Sequence, residues 1–358
     1  MRRPKIKVAV VYNEPEPELY KKTDIGEQVE PEFTTYFEVD KTTPMEEFDY
    51  IAKKLENVGF LAYTLNIKDN LELMLGNLKK EKPDVIFNFV EIYKENSRLE
   101  MNIVGLYELL GIPYTGAPAL ALANCQNKIL AKRLLNSGGI RIPKFYIVSA
   151  KNARYVHNLN YPLLVKPAFE DASVGIENES IVNNSKLLRK RIEHVLKQFQ
   201  QPALVEEFIE GRELNVAVMG DKRLRVLPIS EIDFSTMPDH LHNIVSYQAK
   251  WDPQHESYHK TIPICPAPLP KNMEIRAKEV AFKAFKVMGC RDYARVDIRL
   301  AKDNKLYVLE VNPNPDINEG AGFMRSAQHS GMTYAQALKR IVKYALGRSN
   351  RKSVTVPS

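Results

Sequence analysis

The stretch "YARVDIRLAKDNKLYVLEVNPNPDIN", residues 293–318, predicts two antiparallel strands joined by a tight turn. Two β-branched, half-apolar runs flank "KDNK", and Asp303 and Asn304 tolerate the positive φ angles that a two-residue hairpin turn requires. Counting outward from this turn gives three facing pairs, namely Lys302 with Lys305, Asp297 with Glu310, and Arg295 with Asn312. The hairpin therefore brings an arginine, two carboxylates and an amide to one place.

The polar residues of the two pairs farther from the turn share one face of the hairpin, because side chains alternate along a strand. The other face is apolar and is formed by Val296, Ile298, Leu309 and Val311. Like charges directly across a hairpin destabilise it, so Asp297 opposite Glu310 requires a neutralising cation. Mg²⁺, or Mn²⁺ in its place, commonly uses one or two carboxylates together with substrate phosphates. The alternative is a solvated hairpin, but the apolar second face and the Pro-rich exit "NPNPD" favour a metal–phosphate platform.

The length and composition of the chain indicate a globular protein of several domains. Its 358 residues are 44% hydrophobic, which is enough for two or three cores. No apolar run reaches the length of a membrane-spanning helix, and "MRRPKIKVAVVYNEP" is a basic tip before a strand. The cysteines, Cys125, Cys265 and Cys290, lack metal or redox spacing. We therefore expect a cytoplasmic protein with no membrane partner.

The net charge of +7 raises the possibility of a nucleic-acid partner. However, the basic residues follow helices such as "KLLRKRIEHVLKQF", are mixed with acids, and form no nucleic-acid-binding motif. We therefore expect no nucleic-acid partner. The positive charge is as well suited to collecting anionic nucleotides and carboxylates.

The N-terminal part alternates strand and helix patterns, which predicts an open parallel α/β sheet. No G-x-G-x-x-G follows the first strand, so dinucleotide binding there is not predicted. Residues 13–44 form an acidic, Pro-containing insertion, which is either a mobile flap or part of a site. From about residue 140 onward the pattern is strand-rich with single helices, as in α+β folds.

Three lysines and one small-residue loop are candidates for phosphate binding. Lys166 ends the apolar strand "PLLVKP" just before "EDASVG", and a lysine beside backbone amides suits a phosphate. Lys128 lies early in an apolar helix, and Lys250 stands beside Trp251. Taken singly, each could be an ordinary lysine with its ammonium group in solvent.

The stretch "LVEEFIEGRE" has the pattern of a strand that crosses between domains. The backbone groups of Phe208 and Ile209 could bond an adenine edge, and Glu213 could accept from ribose hydroxyls. Glu206 and Glu207 precede them and are counted with the nucleotide candidates. By itself, the stretch could equally be a solvated turn.

In this order, the features resemble the ATP-grasp superfamily, and most closely the D-alanine–D-alanine ligase family. The supporting phrases are "ELLGIPYTG", "LLVKP", "SVGI", "YQAKW", "ICPAPLP", "MGCRDYARVDIRL" and "LEVNPNP". The resemblance runs from about Glu100 to Leu346. It implies an α/β protein, α+β in its C-terminal part, with a three-domain ATP-grasp fold. The implied parts are an N-terminal domain over 1–124, a central lid domain over 125–210, a catalytic domain over 211–348 and a flexible tail over 349–358.

The resemblance also implies roles for individual residues. Lys128, Lys166 and Lys250 would hold ATP phosphates, and the loop at Ser173, Val174 and Gly175 would close over them. Glu206 would meet the adenine amino group, Phe208 and Ile209 the ring edge, and Glu213 the ribose. Two Mg²⁺ ions would bind Asp297, Glu310 and Asn312, and Arg295 would stabilise an oxyanion. The implied catalytic residues are Arg295, Lys250 and Ser173.

The implied reaction joins a small carboxylate to an amine at the expense of ATP. Transfer of the γ-phosphoryl group makes an acyl phosphate, which an amine then attacks. Water would hydrolyse that intermediate, so the loop at 170–175 and the central domain are expected to act as a lid. A homodimer is implied by analogy.

The substrate half departs from the family's pattern. Where relatives carry a His-Gly…Gly-Glu-Asp-Gly stretch, this chain has "EIYKENSRLEMN". A Ser-Ser pair in the phosphate loop becomes Ala172-Ser173, a tyrosine becomes Trp251, and a serine for the second substrate's carboxylate becomes Ala321. No counterpart of the N-terminal substrate glutamate is evident. We therefore expect ATP and metal binding to persist and D-alanine recognition to be lost.

Three charged residues lie where the displaced motif would be, and are candidates for a different substrate site: Glu91, Arg98 and Glu100. Charges at the start of a helix explain them equally well. His255 and His259 could bind a metal from one helix face, but Pro253 favours a solvated loop.

Two further functions are compatible with the sequence. An ATP-grasp ligase could modify a protein or carrier, which the acidic insertion and the basic surface permit. A nucleotide-binding relative without turnover is the non-enzyme alternative. Such a relative would be expected to lack Arg295 or a metal ligand, and none is missing.

Overall fold

The computed structural model describes residues 5–17, 43–150 and 157–352. The predicted insertion at 13–44 lies mostly outside these ranges, and so does the last part of the predicted tail. The final helix continues to Lys352, past the predicted start of the tail at residue 349. Within the described ranges, no helix combines the length and apolar character needed to cross a bilayer.

The N-terminal strands form the predicted open parallel sheet, in the order β2-β1-β3. Its strands are β1 (Lys7–Tyr12), β2 (Leu61–Asn66) and β3 (Val85–Phe89), and its crossover helices are α1 (Pro44–Asn57) and α2 (Leu71–Glu81). Thr43 caps α1 by accepting from the Glu46 amide while Glu46 bonds back to the Thr43 amide. Three more helices follow, α3 (Glu100–Leu109), α4 (Ala119–Gln126) and α5 (Lys128–Ser137).

A second sheet is antiparallel and has the order β4-β7-β5-β6. It comprises β4 (Phe145–Val148), β5 (Leu163–Pro167), β6 (Ile181–Val182) and β7 (Ala203–Glu207), with α6 (Ser185–Gln198) packed on it. Asn184 caps α6, since its side chain accepts from the Leu187 amide. β5 ends with Lys166 and Pro167, and the Lys166 side chain is buried.

The third sheet carries the hairpin and has the order β11-β10-β8-β12-β13, with β9 paired to β8. Its strands are β8 (Gly211–Gly220), β9 (Leu224–Val226), β10 (Ser230–Asp233), β11 (Ile262–Ile264), β12 (Asp292–Ala301) and β13 (Leu306–Asn312). The remaining helices are α7 (Tyr247–Trp251), α8 (Glu256–Lys260), α9 (Lys271–Val287), α10 (Gly322–His329) and α11 (Tyr334–Lys352). One face of β8, β12 and β13 packs its buried aliphatic side chains against α9. The opposite face carries the polar residues. The predicted division at residues 124 and 210 stays a prediction.

The hairpin register shows two compensating departures from the prediction. The loop has three residues, 302–304, because Ala301 donates to the Lys305 carbonyl at 2.9 Å and Asn304 takes φ +62°. The predicted pairing of Lys302 with Lys305 is therefore wrong. A bulge at Leu309 then restores the register, so Asp297 does face Glu310 and Arg295 does face Asn312.

The bulge also changes which residue enters the core. Ile298 pairs with Val308, which is fully buried, while Leu309 is only half-buried. The predicted core position of Leu309 is wrong for this reason. A bulge leaves one residue unpaired and turns its side chain away from the regular alternation.

Replacing Gly211 with alanine is expected to destabilise the fold by about 1–3 kcal/mol. Gly211 starts β8 with φ +150°, and a Cβ there would overlap the backbone carbonyl of Leu300. Gly76→Ala in α2 is the matched control, because no atom lies within 4 Å of its added Cβ, and it should gain about 0.5–1 kcal/mol. Urea unfolding measures both variants. Equal effects of the same sign would contradict the steric explanation.

Candidate active site

The acid pair lies where β12 and β13 run side by side. The carboxylate of Asp297 is bound by Arg295 through Nε at 2.7 Å and Nη2 at 2.9 Å. It also accepts from Asn215 Nδ2 at 2.8 Å and Asn312 Nδ2 at 2.9 Å. Asn215, on β8 directly across from Asp297, was missed because strand order outside the hairpin does not follow from local pattern. Four donors thus converge on a single buried carboxylate.

Glu310 faces the lysines across the cleft. Its Oε2 lies 3.7 Å from Lys128 Nζ, and its Oε1 accepts from Asn312 Nδ2 at 3.3 Å. Burial opposes ionisation, but Lys128, Lys166 and Arg295 outweigh it and lower the pKa of Glu310 to about 2. Burial raises the pKa of Asp297, and the charge of Glu310 adds to that rise. Arg295 acts against the rise at Asp297, and the lysines with Arg295 keep Glu310 ionised beside it.

This donor set fits a hard divalent cation. The amide nitrogen of Asn312 contacts both carboxylates, which is a position that suits a positive charge. An amide turned by 180° would present its oxygen to a metal in the same place. Asp297, Glu310 and Asn312 are the residues that would hold such an ion, and a metal site there stays a prediction.

Two predicted phosphate lysines come from separate elements and reach the same cleft. Lys128 is the first residue of α5, where the Asn127 side chain caps the helix and the Lys128 amide donates to the Ala168 carbonyl at 3.3 Å. Its Nζ lies 4.0 Å from Asp171 and close to Glu310, as given above. These acids outweigh burial and raise the pKa of Lys128. It therefore stays charged.

A buried charge triad supports the second lysine. Glu206 accepts from Lys166 Nζ at 2.7 Å and contacts Lys132 Nζ at 2.5 Å, and all three side chains are nearly inaccessible to solvent. Burial acts against ionisation, yet the two lysines lower the pKa of Glu206 to about 2. Burial lowers the pKa of Lys132, because it has a single acid partner and a neighbouring lysine. Lys132 was missed, although it lies four residues after Lys128 and hence on the same helix face.

The predicted contact of Glu206 with adenine stays a prediction. Its carboxylate contacts both lysines, so the side chain also orients Lys166. Glu207 points to the other side of β7 and accepts from the Asn160 amide at 3.1 Å. The Phe208 amide donates to the Pro162 carbonyl at 2.9 Å and is not available to an adenine edge. Ile209 keeps its predicted place in the linker, and a contact with adenine there stays a prediction.

Glu213, the predicted ribose acceptor, is buried on β8 and forms an ion pair with Arg299 at 2.9 Å. Burial raises the pKa of Glu213, with Arg299 acting against the rise and the Asp297 and Glu310 charges adding to it. Arg299 follows the "RVD" run, which contains the predicted metal ligand Asp297, by two residues and was not selected from the sequence. Its role depends on segments that are distant in sequence.

The predicted phosphate loop is strained and is tied to the segment that carries Lys250. Ala172 and Ser173 take φ +52° and +65°, a region that costs non-glycine residues energy. Ser173 Oγ donates to the Val245 carbonyl at 2.9 Å, and Trp251 Nε1 donates to the Ala172 carbonyl at 2.9 Å. Lys250 lies over the Trp251 ring at 5.2 Å. The hydrogen bond from Trp251 therefore helps to fix the backbone at Ala172, one of the positions where the sequence departs from the family.

Replacing Ala172 with glycine is expected to stabilise the protein by about 0.5–1 kcal/mol, because glycine adopts positive φ without steric cost. Ala123→Gly in the interior of α4 has an ordinary helical backbone and should instead lose about 1 kcal/mol. The melting temperatures of both variants test this pair. Destabilisation by Ala172→Gly would show that the loop is not strained at this residue.

Two of the three residues of the displaced motif, Arg98 and Glu91, lie along the cleft. Arg98 packs its guanidinium 5.2 Å from the centre of the Phe169 ring, beside the phosphate loop. The side chain of Glu91 is exposed to solvent, but many protein atoms surround it. The partial loss of solvation, together with the charges of Asp316 and Asp171, raises its pKa to about 7. It therefore lies on a cleft wall that is already rich in carboxylates.

Glu100 is buried and has a different part. It accepts from Gln126 Nε2 at 2.6 Å and from Asn314 Nδ2 at 3.0 Å. Burial, reinforced by Glu91, raises its pKa well above the ordinary value. These contacts join α3, α4 and the exit of the hairpin, which makes Glu100 a structural acid behind the cleft wall.

Three other sequence predictions are resolved. His255 caps the short helix α8 and His259 is buried, with Nε2 2.9 Å from the Pro253 carbonyl, so the predicted solvated loop is wrong. In the described ranges no group of three or more His, Cys, Asp or Glu side chains could hold a metal. Ala321 occupies the N-cap of α10 without a side-chain cap, so no hydroxyl stands there.

Comparison with known proteins now places the chain. A family model described as D-ala D-ala ligase C-terminus matches residues 134–343. A D-alanine–D-alanine ligase of Carboxydothermus hydrogenoformans is 31% identical over 307 residues, which cover 83% of this chain and 92% of that protein. The vancomycin B-type resistance protein VanB of Enterococcus faecalis is 32% identical over 246 residues, 69% of each chain.

A solved structure shares the fold. The D-alanine–D-alanine ligase of Bacillus anthracis, crystallised with ATP, superposes with a TM-score of 0.69 at 20% identity, over 97% of this chain and 100% of that one. The family model and the relatives identify the chain as an ATP-dependent ligase of the ATP-grasp class. Within that class, the chain belongs to the D-alanine–D-alanine ligase family.

Proposed function

We propose that this protein joins a small carboxylate to an amine through an acyl phosphate, at the expense of ATP, and that its substrates are not two D-alanines. The observation that carries the proposal is the facing of Asp297 and Glu310 across the hairpin, opposite Lys128 and Lys166. Acids for a cation and lysines for a triphosphate are what phosphoryl transfer requires.

The nucleotide half of the site supports ATP. The related ligase of Bacillus anthracis was crystallised with ATP, and the chain has the same fold. Here the lysines would contact phosphate oxygens, the strained loop at Ala172 and Ser173 would cover them, and Glu213 would accept from the ribose. The Glu206 carboxylate forms an ion pair with the Lys166 ammonium group and so fixes the position of that lysine.

The reaction follows from the charges of these groups. A carboxylate oxygen of the substrate attacks the γ-phosphorus of ATP, the bond to the β-phosphate oxygen breaks, and ADP leaves. Lys128 and Lys166 offset the repulsion between the two anions. A magnesium ion held by Asp297, Glu310 and Asn312 would supply further charge neutralisation at the phosphates.

The second step makes the amide. The amine nitrogen bonds to the acyl carbon, and the resulting oxyanion is stabilised by the fixed charge of Arg295. Arg295 uses Nε and Nη2 to bind Asp297, so Nη1 is the nitrogen left to donate a hydrogen bond to that oxyanion. The bond from carbon to phosphate oxygen then breaks, phosphate leaves, and the nitrogen loses a proton.

The substrate half supports a change of substrate. The cleft wall carries Glu91 and Arg98 in place of the family's substrate motif, and the N-cap of α10 is Ala321 instead of a serine. Lost hydroxyl and charge partners weaken recognition of a carboxylate strongly, because the matching polar group of the ligand is then left unpaired. The homodimer implied by the resemblance stays a prediction.

Phosphate release from MgATP tests the proposal. The purified protein is incubated with D-alanine alone, and separately with pools of amino acids and dipeptides, and products are identified by mass spectrometry. We expect release with one donor and acceptor pair and none above background with D-alanine. Substantial D-alanyl-D-alanine would overturn the substrate proposal. Release only with a protein fraction would favour a macromolecular acceptor, and nucleotide binding without release would overturn catalysis.

A further inference from the structure

Arg299 is a buried arginine that the proposed reaction does not use. It lies on β12 two residues after Asp297, and 3% of its surface is exposed. Its guanidinium has three oxygen partners, two on β8 and one near residue 243. Nη1 donates to the Gly211 carbonyl at 2.9 Å, and Nη2 donates to the Asn243 carbonyl at 2.5 Å and pairs with Glu213 Oε2 at 2.9 Å. A buried charge is costly unless it is partnered, and here both terminal nitrogens of the guanidinium contact oxygen atoms.

Two aromatic rings complete the environment of this guanidinium. The ring centres of Phe208 and Phe234 lie 5.7 and 5.5 Å from its central carbon. A planar guanidinium can stack on rings while it donates in several directions, which a lysine cannot do. Phe208 belongs to the linker that precedes β8, so Arg299 joins the linker, β8 and the segment near residue 243.

The segment at residues 240–245, here called the cover segment, connects Arg299 to the phosphate loop. The His242 amide donates to Asn178 Oδ1 at 2.9 Å, and the His240 carbonyl accepts from Asn178 Nδ2 at 3.2 Å. The Val245 carbonyl accepts from Ser173, as described above. Asn243 lies between these contacts and is bound by Arg299. The Arg299 side chain therefore connects Glu213 to the cover segment, which in turn contacts the phosphate loop.

We propose that Arg299 is a positioning residue for the nucleotide, which holds Glu213 for a ribose hydroxyl and the cover segment against the phosphate loop. By engaging Oε2, Arg299 directs Oε1 of Glu213 as the second acceptor. The proposal rests on the proposed function only through the assignment of Glu213 to the ribose. Binding of nucleotide, which needs no turnover, is the property it affects.

Calorimetric titration with MgATP and with the magnesium complex of 2′,3′-dideoxy-ATP tests the proposal. The wild-type protein should bind ATP about 10-fold or more tightly than the dideoxy analogue, since a hydrogen bond to a carboxylate is lost. Arg299→Met should weaken ATP binding by about 10- to 100-fold and bind both nucleotides about equally. A purely structural role would weaken both nucleotides alike and leave the preference unchanged.

Arg212→Met is the matched control. Arg212 is the neighbour of Glu213 on β8, but its guanidinium binds Glu231 at 2.6 and 2.5 Å, away from the nucleotide residues. This variant should keep the wild-type preference. If Arg299→Met does not fold, Arg299→Lys decides, because it keeps the charge but cannot hold Glu213 and Asn243 together.

Retention of the full preference by the Arg299 variants would overturn the proposal. A wild-type protein that does not distinguish the two nucleotides would overturn both the ribose assignment of Glu213 and the role of Arg299. Neither result would touch the ligase proposal, which phosphate release decides separately.

Discussion

Replacing Glu310 with glutamine is expected to lower turnover about a thousandfold or more, while leaving the fold intact. Glu310 is ionised at neutral pH, because Lys128, Lys166 and Arg295 lower its pKa to about 2 against the effect of burial. Glutamine keeps the shape but removes the charge that would bind a divalent cation beside the triphosphate. Loss of several kcal/mol of charge stabilisation in the transition state corresponds to a factor of this size.

Steady-state phosphate release over a magnesium titration measures this effect. The matched control is Asp303→Asn in the same hairpin, where the carboxylate is half exposed and pairs with Lys305 at 2.6 Å. That variant should retain wild-type turnover. A Glu310→Gln protein with turnover within tenfold of wild type would remove the hairpin from the metal site, and the proposed function would lose its main support.

Replacing Glu206 with glutamine is expected to destabilise the protein by about 3–5 kcal/mol, because it leaves Lys132 and Lys166 buried without a counter-charge. Glutamine can still accept a hydrogen bond, so the loss reports the missing charge more than a missing contact. The surface pair of Lys7 with Glu81 provides the matched control, and Glu81→Gln should leave the stability almost unchanged, because solvent screens an exposed ion pair. Urea unfolding at neutral pH measures both.

The same variant has an expected dependence on pH. The pKa of Glu206 is about 2 in the folded protein, against an ordinary value of 4.5. A depressed pKa means that its stabilisation is complete above about pH 4.5 and is lost as the pH falls toward 2. The stability difference between wild type and Glu206→Gln should therefore shrink over that range. A difference that is constant from pH 6 to pH 3 would show that Glu206 is not held ionised by the lysines.

Double replacement separates the triad from general damage to the core. Lys132→Met removes one of the two ammonium groups, so adding it to Glu206→Gln should recover part of the lost stability. Additive losses from the two substitutions would mean that Lys132 and Glu206 act independently. Lys166 would then be positioned by other contacts.

The hairpin shows how far local pattern reaches. Alternation and the position of the polar residues correctly placed Asp297 opposite Glu310, although the turn has one more residue than expected and Leu309 forms a bulge. The longer loop takes one residue from β12, and the bulge takes one residue from β13. The two departures therefore cancel, and the register beyond the bulge is the predicted one. The pattern correctly predicted the facing acids. It did not predict which residue of β13 is buried, which is Val308 and not Leu309.

The nucleotide linker shows where local pattern fails. Glu206 and Phe208 were selected by their place in "LVEEFIEGRE", but the carboxylate of Glu206 is taken by two lysines and the Phe208 amide by Pro162. These partners come from α5, from β5 and from the residue just before β5. No periodicity within the linker carries information about them.

The sequence alone determined the class of the sheets, the acid pair on one face of a hairpin, and the lysines and small-residue loop that face it. These properties depend on alternation, turn chemistry and residue order, which act over a few neighbours. Tertiary structure alone decided the buried triad at Glu206, the threefold contact of Arg299 and the strained loop held by Trp251. Each of these requires side chains from strands and helices that meet only after the sheets have packed, and burial then gives their charges the strength that sequence position cannot show.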